Sequence, residues 1–244
     1  MRVTDDEHDQ PPTASASSAT RHRPAEQRHA VLSAERLKAF VDAVVAIAMT
    51  LLILPLMESV IELGRERRTV LEYLSEENGQ LVSFAMSFVL IAVSWITHHR
   101  VFDRVERTTN ALVWLQVAWM FTIVWLPVPT AMLGSMETDT VQKVLYIGTL
   151  LVTALLMLAT RLYLRAHPEL HRIPDAALTE GVRVEIVLCA LFGIALLVAV
   201  LIPAVGYWAM FLMVLSAPAQ AILGRRSARA ERTSAGAGDA GRVR

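Results

Sequence analysis

One cysteine, Cys189, stands among the 244 residues. A single thiol excludes an intrachain disulfide framework and a cysteine-based zinc site. Net charge is also missing, because 23 Lys and Arg balance 23 Asp and Glu. Bulk charge therefore gives no support to a nucleic-acid binder. No phosphate-binding glycine-rich loop, nucleophile elbow or His-Glu-x-x-His motif occurs, which speaks against a soluble-type enzyme. Charged residues make up only 19% of the chain and apolar ones 54%, with a mean hydropathy of +0.44. Ordinary soluble domains carry about 25% charged and 45–50% apolar residues, so water is the wrong solvent for much of this chain.

The apolar residues come in runs. A bilayer core about 30 Å thick needs roughly 20 mostly apolar residues per helix, and such windows fall at 37–57, 80–98, 111–133 and 144–164. A fifth stretch, Ile186 to Gly224, holds no charged residue for 39 positions. That is twice one span, and Pro203 to Gly206 suit a helical hairpin break. The expectation is an all-α integral membrane protein with six transmembrane helices, occupying residues 31–224. Residues 1–30 are polar, rich in Ser, Thr, Pro and Ala, and without apolar periodicity, which predicts a disordered tail. Residues 225–244 hold six Arg among Ser, Ala and Gly and predict a second, basic one. Residues 58–78 mix six Glu with spaced Val, Ile and Leu, a pattern suited to an amphipathic helix or turn at the outer surface.

Six spans put both tails on one side, with the loops after the second and fourth spans. That side carries 19 basic residues and the other four, namely Arg65, Arg67, Arg68 and Lys143. The positive-inside rule then makes both termini cytoplasmic in a multi-pass protein of the cell membrane.

Inside the four separate windows the one acid is Asp42. A carboxylate at mid-helix costs at least about 2.5–3.5 kcal/mol on insertion scales, so it marks a functional or network residue with partners. Candidate partners are Trp95 and His98, three residues apart on one face at the end of the second span, and Gln116 in the third. His98, His99 and Asp103 make a weak metal site, since adjacent histidines point to different helix faces. Farther along the first span, Ile47, Thr50, Leu51 and Leu54 follow i, i+3, i+4, i+7 spacing and form one stripe. Such a stripe serves packing or lipid contact, or, if several copies surround an axis, a dewetting constriction with the Thr50 hydroxyl as its polar lining. Val205-Gly206-Tyr207 lacks the flanking Thr and Gly of a potassium filter and fits a hairpin instead.

Three motifs in order then resemble a known family. Arg36-x-x-x-Phe40-Val41-Asp42 is similar to the Arg-x-x-x-Phe-Ser-Asp that opens helix 1 of the transmembrane-protein-175-like potassium channels. Trp95-x-x-His98-x-Arg100-x-Phe102 and Leu126-Pro127-Val128-Pro129-Thr130 resemble that family's later motifs. The resemblance implies a passive potassium-permeable leak channel, a homotetramer in the lipid bilayer with helix 1 lining the pore. It places the hydrophobic gate on Ile47, a polar threonine on Thr50 and a further constriction at Leu54. Arg36, Phe40, Asp42, Trp95 and His98 would form the supporting polar network, joined by Gln116. Two departures stand out: Val41 replaces the usual Ser, and Gln116 stands where Asn is common. Potassium as permeant needs no cofactor or bound metal, and nothing implies a nucleic-acid partner or an organic substrate. The competing readings are a proton-coupled transporter relaying through Asp42 and His98, and a non-transporting membrane protein.

Overall fold

The computed structural model describes residues 34–65, 69–136 and 139–201. The tails expected at 1–30 and 225–244, the hairpin break at Pro203 to Gly206 and the sixth span after it lie outside the described residues.

The described chain is helical: α1 (Ala34–Leu51), α2 (Leu54–Arg65), α3 (Val70–Glu76), α4 (Asn78–Phe102), α5 (Asn110–Trp125), α6 (Pro127–Ser135), α7 (Thr140–Ala166) and α8 (Asp175–Leu201). Five helical segments are long and apolar enough to cross a membrane, with α1–α2 and α5–α6 each counting as one. At 1.5 Å per residue the 27 residues of α7 and of α8 extend about 40 Å, more than a hydrocarbon core requires. Their exteriors agree with that solvent. Large apolar side chains such as Trp114, Phe121, Val187 and Ile194 are exposed along the spans, where lipid rather than water suits them.

Boundaries follow from local chemistry. Proline lacks an N–H and its ring crowds the carbonyl four residues back. Pro55 thus breaks the first span at Leu52 and Ile53, with α1 ending at Leu51, its i−4 position. Pro127 and Pro129 do the same between α5 and α6. Thr109 caps α5, its hydroxyl accepting from Leu112 N at 3.2 Å, and Asp139 caps α7 by accepting from Gln142 N at 2.7 Å. In the outer connection, Thr69 and Glu72 close a capping box on α3.

α7 is the centre of the bundle, with α5 and α8 packed on it, while α1 lies against α4 and α5 and α6 lies against α4. One buried face of α1 explains its place: Leu37, Val41, Val45 and Ala48 all face the core, as does Leu52 just beyond its end. The loops after the second and fourth spans meet at one end of the molecule. Val105 and His171 form an antiparallel bridge, and Arg172 N donates to Arg104 O at 2.8 Å.

α8 departs from the sequence expectation. The fifth span begins at Asp175, eleven residues before the charge-free stretch at Ile186, and so carries Glu185 into the helix bundle. The residue is 3% exposed. Asp42 is therefore not the lone intramembrane acid, because Glu185 is balanced by Arg161 of α7 and no longer needs the aqueous boundary.

Candidate functional site

The two faces of α1 differ. Opposite its buried face, Phe40, Ile47, Thr50 and Leu51 are exposed, Ile47 at 60%, and so is Leu54 at the start of α2. Helical spacing puts the four α1 residues on one side and Leu54 is exposed just beyond the break, so the residues of the stripe read from the sequence lie on the outward surface of the subunit. The Thr50 hydroxyl donates to Ile47 O at 2.7 Å, which satisfies its proton and turns its lone pairs outward.

Asp42 and His98 belong to neighbouring but separate clusters. Trp95 Nε1 donates to Asp42 Oδ1 at 2.7 Å, fastening α4 to α1. His99 Nδ1 lies 3.8 Å from the same carboxylate oxygen, and its Nε2 lies 3.7 Å from Asp103 Oδ1. Lys38 Nζ reaches Asp103 at 3.5 Å. This first cluster is half-exposed and ties the base of α1 to the end of α4. Sequence reasoning left out His99, Asp103 and Lys38 as partners, although their proximity to Asp42 at the span boundary was the available signal. Arg36 is exposed on α1 beside this cluster, and Phe40 presents its ring outward.

His98 turns the other way. Its ring is sandwiched between Phe102 and Trp119, with centroids 4.4 and 4.5 Å away, and it is 2% exposed. His98 Nε2 meets Gln116 Oε1 at 2.6 Å, and Gln116 Nε2 donates to Thr160 Oγ1 at 3.2 Å. Proton accounting fixes the orientation of this chain. Thr160 spends its single hydroxyl proton on Leu156 O at 2.9 Å, so it must accept from the Gln116 amide nitrogen. Gln116 Oε1 then faces His98, whose proton sits on Nε2. The bare Nδ1 has no hydrogen-bond partner, and neither has the Nε1 of the stacked Trp119.

Thus α4 is joined to α1 through Trp95 and Asp42, and to α5 and α7 through His98, Gln116 and Thr160. The departure at position 41 also has a local reason. Val41 is fully buried on the core face, where an apolar side chain is at home.

Further polar contacts fasten α7, and the sequence reading missed them. Tyr146 OH and Ser87 Oγ are 2.9 Å apart, with Thr130 Oγ1 2.9 Å from Ser87. Thr153 Oγ1 and Thr122 Oγ1 are 2.8 Å apart, and Gln142 Nε2 donates to Met132 O. Gln142, Tyr146, Thr153 and Thr160 are spaced four, seven and seven residues apart. That near-heptad spacing is the signal that places them on one face of α7. Thr130, the last residue of the Leu-Pro-Val-Pro-Thr motif, is part of this layer.

Residues 36–127 match the family model described as the endosomal/lysosomal potassium channel TMEM175, a family of ion channels and not of enzymes. A zebrafish endosomal/lysosomal proton channel TMEM175 is 27% identical over 136 residues, covering 56% of this chain and 26% of that protein. A potassium channel of Streptomyces collinus is 33% identical over 99 residues, covering 41% of this chain and 47% of that one. The alignments thus span about a quarter and about half of these relatives. The crystal structure of a lysosomal potassium-selective channel TMEM175 homologue from Chamaesiphon minutus superposes with a TM-score of 0.63 at 22% identity. That superposition covers 78% of this chain and 96% of the other, a likeness of fold. All three motifs but the last residues of the Leu-Pro-Val-Pro-Thr run fall inside the matched segment. Over residues 36–127 this chain is similar to the TMEM175 family of membrane ion channels, whose model it matches there.

Proposed function

We propose that the chain is one subunit of a passive, potassium-permeable leak channel, a homotetramer whose pore is lined by α1. The observation that carries this reading is the exposed stripe of Phe40, Ile47, Thr50 and Leu51 opposite the packed face of α1, continued by Leu54 at the start of α2. Around a four-fold axis the stripe becomes stacked rings of apolar side chains with one ring of hydroxyls. A ring of Ile47 side chains excludes water, and ions cross only when the constriction wets. The Asp42 to Trp95 bond holds the base of α1 at a fixed angle to α4, and His98 with Gln116 anchors α4 in turn. These residues act as supports and the stripe as the conduit. Multi-pass insertion in the cell membrane with both termini cytoplasmic follows from the basic residues.

The relay reading draws less support. Asp42 bonds to Trp95, and His98 bonds to Gln116, so neither side chain hands a proton to the other in this arrangement.

Reconstitution of the full chain in liposomes under a potassium gradient tests the proposal. Purified tetramers should carry ohmic potassium flux above empty vesicles. Ile47→Asn should widen and wet the constriction, raising sodium flux relative to potassium several-fold. Absence of flux from confirmed tetramers, or a reversal potential unmoved by Ile47→Asn, would sink the assignment of the pore to this stripe.

A further inference from the structure

A second polar centre lies inside the subunit, away from the exposed stripe of α1. Between α4, α5, α7 and α8 is a cavity of about 50 Å³. Its walls are mostly Leu, Ile, Met and Phe, but Ser94, Thr97, Thr153 and Glu185 also line it. Glu185 is held by Arg161, whose Nε donates to Glu185 Oε1 at 3.4 Å, with the two side chains 4% and 12% exposed.

The pair has a purpose-made seat. A Cβ on Gly181 would collide with the Arg161 guanidinium, so glycine one turn before Glu185 lets the arginine lie along α8 in this position. Yet the contact is a single long one. A buried ion pair recovers its desolvation cost only when its remaining lone pairs and protons are also hydrogen-bonded. The cavity provides the means. A water needs about 10–15 Å³ of such space and two to four polar partners, so roughly three waters fit among the carboxylate and the three hydroxyls.

We propose that this cavity is a hydrated proton-binding site in each subunit, with Glu185 as the proton acceptor. A cation other than the proton has no charge to bind, because Arg161 already neutralises the carboxylate. On protonation an O–H bond of a hydronium entering the cavity from the aqueous side breaks as an O–H bond forms at a Glu185 carboxylate oxygen, leaving a water in the cavity. Arg161 keeps its own proton and charge. α7 ends five residues beyond it at Ala166, roughly 8 Å along the helix, so the released guanidinium reaches lipid phosphates at the boundary.

The groups facing Glu185 are few. Arg161 comes from α7 and Cys189 follows one turn on along α8, whereas α4 and α5 present hydroxyl and apolar side chains to the cavity. His98, next to Thr97, points away into its sandwich of Phe102 and Trp119. The site stands whether or not α1 lines a pore.

Infrared difference spectroscopy of the full chain in lipid nanodiscs tests it, with pH stepped from neutral to about 4, the ordinary range of a Glu carboxyl. A protonated-carboxyl band should rise reversibly as pH falls, disappear in Glu185→Gln and persist at a shifted frequency in Glu185→Asp. The double variant Ser94→Ala with Thr97→Val keeps the ion pair and should move the band. If Glu185→Gln does not fold, that double variant decides alone. Wild-type spectra matching those of Glu185→Gln, or a band unmoved by loss of both hydroxyls, would overturn the proposal and leave a fixed strut between α7 and α8. Because the readout is spectroscopic, a failed flux assay has no bearing on it.

Discussion

At the scale of single residues, Gln116 shows how one side chain replaces several weak contacts. It is fully buried and bonds both His98 on α4 and Thr160 on α7. Interhelical hydrogen bonds in membranes are worth about 0.6 kcal/mol on average and up to about 1.7. Leaving the His98 N–H unpaired adds about 1–3 kcal/mol of desolvation. Gln116→Leu should therefore destabilise the protein by roughly 1–3 kcal/mol, read as a lower thermal midpoint in detergent. Gln116→Asn, one methylene shorter, should keep one of the two bonds and lose less. Equal midpoints for all three proteins would mean the chain of bonds is not shared across helices. The residue type at 116 was legible as a polar group at the right depth, but its second partner was not. Thr160 is 44 positions away, and nothing local announces that pairing.

At the scale of elements, what composition dictates was readable and what packing dictates was not. The windows at 37–57, 80–98, 111–133 and 144–164 sit inside the observed spans, because a bilayer demands apolar length and the prolines mark the breaks. The start of α8 was hidden, since a rule that rejects charge cannot see that Glu185 is paired with Arg161. Close approach is equally silent in sequence. Gly134 of α6 lies so near α4 that an added Cβ would stand 2.7 Å from the Gln80 Cα. Backbone cannot move aside as a flexible side chain can, so Gly134→Ala should overpack the α4 to α6 contact and destabilise by about 1–3 kcal/mol. Gly148 of α7 meets nothing within 4 Å, and there Ala gains up to about 1 kcal/mol of helix propensity. Thermal midpoints of the two variants should move in opposite directions. A common shift would show that backbone entropy, and not contact, governs position 134.

At the scale of the whole molecule, zero net charge conceals an ordered distribution. Arg100, Arg104, Arg107, Arg165 and Arg172 gather at the end where the 103–109 and 167–174 loops are joined through Val105 and His171. Among the described residues the opposite end carries only Arg65 and Lys143 as basic residues, alongside acids such as Glu58, Glu62, Glu72 and Asp139. Orientation responds to Lys and Arg near span ends and scarcely to acids, so the proposed orientation puts the joined loops in the cytoplasm. In a Cys189→Ser background, Ser75→Cys should react with a membrane-impermeant maleimide on intact cells. Glu169→Cys should react only after permeabilisation, because position 169 sits on the joined loops and Ser75 on the far side of the bundle. Labelling of Glu169→Cys on intact cells, with Ser75→Cys protected, would invert the subunit. It would also place the Asp42 cluster at the outer surface and the Arg161 to Glu185 pair within reach of external protons.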